Sequence, residues 1–185
     1  MFIELLTAIG IGASALPSDA SEPLPIIDYP DPTEVMCLAE NMYHEAKNQG
    51  TAGWSAVASV TFNRIRDSRF PETVCEVVKQ GPTRESWKTR KNKNLAPNQR
   101  KYYPIRNRCQ FSWFCDGKDD TPRDKKTYER MLQIAYGMIH NEYALIDITD
   151  GALFYHADYV TPSWAKVKLK TTEIQDHIFY RWEIK

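Results

Sequence analysis

The stretch "CLAENMYHEAKNQG", residues 37–50, decides how the chain is read, because a run with the spacing of a buried helix face ends in a histidine and a glutamate. Just before it, Asp31-Pro32-Thr33-Glu34 has the order of a helix start: an N-cap aspartate, proline at the first helical position and an acid in the first turn. Val35, Leu38, Met42 and Glu45 then recur at i, i+3, i+7 and i+10, one face of a helix that Gly50 ends. Glu45 therefore sits on the inward face or its margin. A carboxylate held against apolar neighbours has its charged form destabilised and becomes a protonated acid nearer neutral pH. The plainer alternative is that Glu45 turns to water or pairs with Lys47 or Arg64. His44-Glu45 does not open a zinc-protease H-E-x-x-H motif, since position 48 is Asn.

Outward from this helix, "TAGWSAVASVTFNRIRD" predicts a second one, whose small Ala56, Ala58 and Ser59 admit close packing. "FPETVCEVVKQG" predicts a short third, opened by Pro71 and closed by Gly81. Residues 82–108 hold Pro82, Pro97 and Pro104 without clear periodicity and read as a long irregular insertion. Thr121-Pro122 is a further helix start, with Tyr128, Met131, Leu132, Ala135, Met138 and Ile139 in helical period to about His140. "GALFYHADY" and "KTTEIQDHIFYRWEIK" are aromatic and β-branched, with a turn at Gln175-Asp176, and predict short strands and a terminal hairpin. Helices followed by a small β element give an α+β domain, here residues 32–185.

The 185 residues, 42% hydrophobic and 12% aromatic, suffice for one such domain. Their 24 basic and 24 acidic residues cancel, so bulk charge points to no nucleic-acid partner. The distribution is uneven, however. Residues 1–36 carry six acids and no Lys or Arg, whereas Arg84 to Arg108 carry nine basic residues and one acid, Glu85. That stretch is expected to steer the chain onto an anionic polymer, the plainer reading being a solvated loop. Cys37, Cys75, Cys109 and Cys115 include no C-x-x-C pair, which favours disulfides over a zinc cluster and leaves three connectivities open. Residues 2–16 are apolar apart from Glu4, Thr7 and Ser14 and end at the A-x-A triplet 13–15. Residues 1–20 thus outline an export signal or a weak membrane anchor, followed by a proline-rich linker over 21–31. Export would place the protein in the periplasm or outside the cell.

Four ordered blocks, residues 37–80, "QFSWFCDG", "GALFYHADYVTPSWAK" and "HIFYR", resemble the cell wall hydrolase family of the spore-cortex-lytic, SleB type, found in bacteria and tailed phages. The resemblance spans about Cys37 to Arg181. It implies a lysozyme-like fold related to lytic transglycosylases, a phage endolysin or bacterial enzyme, and peptidoglycan glycan strands as substrate. It also places the family's catalytic glutamate on Glu45. Such chemistry needs one carboxylate, which hands a proton to the glycosidic oxygen and later retrieves one from the muramyl hydroxymethyl group. A hydrolytic muramidase would want a second carboxylate, for which Asp116, Asp150 and Asp158 are candidates, although each sits beside a turn signal. Sugar faces stack on aromatic rings, so Trp113, Tyr155 and Trp164, with Ser112 and His156 as polar companions, are the expected substrate-binding residues.

Two alternatives belong to other classes. One is a zinc amidase cutting the peptide stem, with His44, His156, His177 or a cysteine as ligands; the other is a non-catalytic peptidoglycan-binding module. His156, His177 and Glu173 are spaced too loosely for a metal motif, so neither a metal nor another cofactor is expected. A monomer is expected, with peptidoglycan as partner and weak membrane association through residues 2–16.

Overall fold

The computed structural model describes residues 30–140 and 146–182. The signal-like segment, nearly all of the linker and the apolar run at 2–16 lie outside them. Helix α1, Pro32–Ala46, begins as its sequence dictates: Asp31 accepts a hydrogen bond from the Thr33 amide at 2.8 Å, and Pro32 occupies the first turn. The helix is the hub of the molecule. It packs against α2 (Gly50–Ile65), α3 (Val74–Val78) and α5 (Lys125–His140), and its Leu38, Ala39 and Met42 are fully buried. Between α1 and α2 a 3-10 turn at Lys47–Gln49 leads into Gly50, whose φ of 64° is a conformation that favours glycine.

Two helix starts differ from the sequence reading. α3 opens at Val74 rather than near Pro71, because the Thr73 hydroxyl accepts from the Glu76 amide and so caps the helix three residues later. α5 opens at Lys125 rather than at Thr121-Pro122, since the Asp124 carboxylate takes both the amide and the hydroxyl of Thr127. The periodic residues of α5 nevertheless face the core as expected, with Met131 and Ala135 fully buried.

The insertion is not irregular. Strands β1 (Thr83–Glu85) and β2 (Tyr102–Pro104) pair antiparallel, with Arg84 opposite Tyr103, and enclose the short helix α4 (Trp87–Lys91). The Ser86 amide donates to the Lys101 carbonyl at 2.7 Å, Thr89 is the buried residue of α4, and Arg100 pairs with Glu85 at 2.8 Å. At the neck the Gln110 amide donates to the Gln80 carbonyl, and a Cβ on Gly81 would lie 2.9 Å from the Cys109 Cα. Glycine is required there by close approach.

Strands β3 (Phe154–Ala157), β4 (Leu169–Ile174) and β5 (His177–Arg181) form a three-stranded antiparallel sheet of order β3-β5-β4. Gln175, at φ 53°, and Asp176 make the expected turn. Phe179 and Ala152 pack this sheet onto Ala56 and Val60 of α2. Among the described residues no helix is long and apolar enough to cross a membrane.

All four cysteines are oxidised, as Cys37–Cys75 and Cys109–Cys115. The first staples α1 to α3 across 38 residues and the second closes a loop of six. Loop-closure entropy makes the first worth about 4 kcal/mol and the second about 2. Cys37→Ala/Cys75→Ala is therefore expected to lower the melting temperature by about 10 °C, and Cys109→Ala/Cys115→Ala by about half as much. Calorimetry of both variants checks the order; equal or reversed losses would contradict it.

Candidate active site

Glu45 lies in the last turn of α1, where the helix carbonyls point and the dipole disfavours an anion. That end is held in place by α2: the Trp54 indole N–H donates to the Ala46 carbonyl at 3.0 Å and reaches the Lys47 carbonyl at 3.3 Å. Two of the orphan carbonyls of α1 are thereby satisfied without solvent. Glu45, Tyr43, His44, the turn at 46–49 and Asp176 from the β4–β5 turn line an open cleft of about 320 Å³.

The Tyr155 hydroxyl, on β3, donates to Glu45 Oε2 at 2.9 Å. Behind it lies Arg64 of α2, buried, its Nε donating to the Leu153 carbonyl at 2.9 Å and its guanidinium set over the rings of Phe111 and Phe70 at 5.0 and 5.4 Å. Arg64 Nη1 is buried without a hydrogen-bond partner among the described residues. These groups set opposing demands on one carboxyl. Burial pushes Glu45 above its ordinary range, while the Tyr155 hydrogen bond and the Arg64 charge favour the carboxylate. Burial, followed by the neighbouring Glu45, raises the Tyr155 hydroxyl well above its ordinary value, so it stays a donor. Arg64 is drawn down to about 10 by burial and still carries its charge at neutral pH. The arrangement can hold a proton on Glu45, release it to an adjacent acceptor and stabilise the anion left behind.

The other expected site residues are placed differently from one another. Trp113, on a 3-10 turn at Ser112–Cys115, is buried at 8% exposure, its indole N–H donating to Asn41 Oδ1 at 3.2 Å and its face stacked on His44 at 4.5 Å. Asn41 in turn donates to the Thr61 hydroxyl, so Trp113 is a core residue that locks the turn to α1 and α2, and it offers no open ring face to a sugar. His156 is also buried, stacked on Tyr180, its Nε2 3.0 Å from the Tyr180 hydroxyl. Trp164 is half-buried against Phe154, His156 and Tyr180, and Ser112 is exposed. His44 is drawn to the Asp120 carbonyl at 3.0 Å.

Of the carboxylates considered as a second acid, Asp116 pairs with Lys118 and Asp150 with Arg181, and neither they nor Asp158 line the cleft. Asp176 does line it. In the sequence Asp176 reads only as a turn residue and Arg64 only as a partner for Glu45; the packing of the terminal sheet onto α2 and the Leu153 carbonyl that holds Arg64 are long-range. Among the described residues no three of His, Cys, Asp and Glu are grouped to hold a metal ion, and every cysteine is in a disulfide.

Tyr155→Phe keeps the ring and removes the donor, so the Glu45 titration is expected to move further upward. Carbon-13 NMR of the glutamate carboxyls reads this directly; a downward move would show that the hydroxyl does not favour the anion.

Comparison with known proteins bears on the fold and on the family. Two solved structures resemble the chain at 23% identity and a TM-score of 0.51. They are the catalytic domain of the Bacillus cereus SleB protein, covering 82% of this chain and 91% of that one, and the catalytic domain of the germination-specific lytic transglycosylase SleB from Bacillus anthracis, covering 80% and 93%. The likeness shows the fold, which is mixed helix and sheet and lysozyme-like. No curated protein matches the chain significantly. The family model described as Cell Wall Hydrolase matches residues 48–180, starting three residues beyond Glu45 and taking in Arg64, Tyr155 and Asp176. The chain belongs to the cell wall hydrolase family.

Proposed function

We propose that this cell wall hydrolase cuts the glycan strand of peptidoglycan between N-acetylmuramic acid and N-acetylglucosamine as a lytic transglycosylase, with Glu45 as its acid and base. The observation that carries the reading is the Glu45 carboxyl, held by the Tyr155 hydroxyl and pushed above its ordinary range by burial, at the wall of an open cleft. The domain to which this applies is residues 32–185, and a wall substrate puts its working place outside the cytoplasm, in line with the signal-like start.

In the first step Glu45 gives its proton to the glycosidic oxygen as the bond to the muramyl C1 breaks. The carboxylate left behind is stabilised by the Tyr155 hydrogen bond and by Arg64. It then takes the proton of the muramyl C6 hydroxyl, whose oxygen bonds to C1 and closes a 1,6-anhydro ring. Glu45 ends protonated, and no water is consumed. Neither Ser112 nor Trp164 lines the cleft, and Trp164 packs with Phe154, His156 and Tyr180 on the face of the sheet opposite Tyr155, so neither is assigned a sugar contact beside Glu45. A second reading rests on Asp176, the other carboxylate of the cleft, which would let a water complete hydrolysis as in a muramidase.

Glu45→Gln keeps the shape but can neither give nor take a proton, so release of soluble fragments from purified peptidoglycan is expected to fall at least about 100-fold with the melting temperature unchanged. Mass spectrometry of the wild-type products separates the readings: anhydro-muramyl ends support the proposal, reducing muramyl ends favour the muramidase, and freed stem peptides would sink both.

A further inference from the structure

The insertion carries a cleft of its own. About 560 Å³ in volume, within the range of small-ligand sites, it is lined by Arg84, Glu85, Ser86, Trp87, Lys88 and Arg90, with Tyr103 and Pro104 closing it. Arg84 and Tyr103 face each other across the β1–β2 ladder and so share one face, and α4 follows β1 at once, which brings Trp87, Lys88 and Arg90 beside them. Trp87 and Tyr103 are each 57% exposed, a large aromatic surface to leave in water. Lys91 covers one face of the Trp87 ring, its Nζ 4.9 Å from the centroid, which fixes the indole without burying it. Glu85 is neutralised by Arg100, whereas Arg84, Lys88 and Arg90 form no ion pair with a described residue.

Resting on the reading of the chain as a peptidoglycan enzyme, we propose that this cleft is a second peptidoglycan subsite: Trp87 and Tyr103 take the apolar face of a sugar, and Arg84, Lys88 and Arg90 take the carboxylates of the attached stem peptide. Exposed rings beside hydrogen-bonding side chains are what a sugar ring needs, and an anionic stem on the same polymer supplies the complementary charge. The Ser86 hydroxyl and the Glu85 carboxylate in the cleft lining suit sugar hydroxyls and amides. The cleft is also firmly mounted. Its neck is pinned by the Gly81–Cys109 approach and the Cys109–Cys115 disulfide, and the turn inside that disulfide carries Phe111 against Tyr155 and Trp113 against His44. A strand held here is thus held by the same rigid arm that flanks Glu45.

The test uses full-length protein carrying Glu45→Gln, so that substrate persists, and measures co-sedimentation with purified insoluble peptidoglycan. Trp87→Ala/Tyr103→Ala and Arg84→Ala/Arg90→Ala are each expected to raise the dissociation constant at least about tenfold. Walls stripped of stem peptides should bind the parent about as weakly as intact walls bind the arginine variant. In NMR, a soluble disaccharide-peptide should shift the Trp87 indole signal and leave that of buried Trp54 in place, a readout that needs no substitution. The proposal is overturned if both variants bind like the parent, if the Trp87 signal does not move, or if single-stranded DNA or a phosphodiester wall polymer competes better than the disaccharide-peptide. Which group cuts the glycan is read from the product masses, so failure here and failure of the Glu45 mechanism are told apart.

Discussion

A helix end is an awkward place to keep a carboxyl, and most of the molecule serves to keep one there. The carbonyls that α1 leaves exposed around Glu45 are met by the Trp54 indole from α2. Further up the same helix, Asn41 joins the Trp113 indole to the Thr61 hydroxyl in a fully buried chain of hydrogen bonds. A buried amide with both ends satisfied specifies one arrangement of its neighbours, because any shift of α2 or of the 112–115 turn would strand a polar group away from water. Position and orientation of Glu45 follow from that arrangement rather than from the cleft itself.

Electrostatics then refine what packing has positioned. Desolvation alone would hold the proton on Glu45 and make it reluctant to let go, and a direct ion pair would keep it ionised with no proton to give. The structure has neither extreme. A neutral hydroxyl touches the carboxyl, and the guanidinium of Arg64 acts from behind, clamped by the Leu153 carbonyl and the rings of Phe70 and Phe111. The same group can therefore serve in both halves of a reaction that needs a proton given and a proton recovered.

What the sequence disclosed follows the range of the interactions concerned. The start of α1, the face of α5 and the Gln175-Asp176 turn were legible because capping, periodicity and turn chemistry act over a few residues. Glu45 stood out because its spacing from Val35 and Leu38 is local too. The starts of α3 and α5 were misplaced because proline signalled them, whereas Thr73 and Asp124 do the capping. Strands β1 and β2, three residues each, carry no period and exist through pairing across the 16 residues between Glu85 and Tyr102. Trp113 and Arg64 owe their burial to partners 72 and 89 positions away, which no window along the chain reveals.

The neck of the insertion has a consequence for how such a protein can diversify. Residues 81 and 109 are brought into contact by glycine and by a backbone hydrogen bond between Gln80 and Gln110, so everything between them leaves and re-enters the core at one point. Lengthening or replacing a segment with adjoining ends changes closure entropy only logarithmically and leaves the packed interior alone. The scaffold therefore separates two inheritances, a packed core that positions Glu45 and an appendage that leaves and re-enters at one point; on the proposed reading, walls of different composition can be met by exchanging the arm while the core is left as it is.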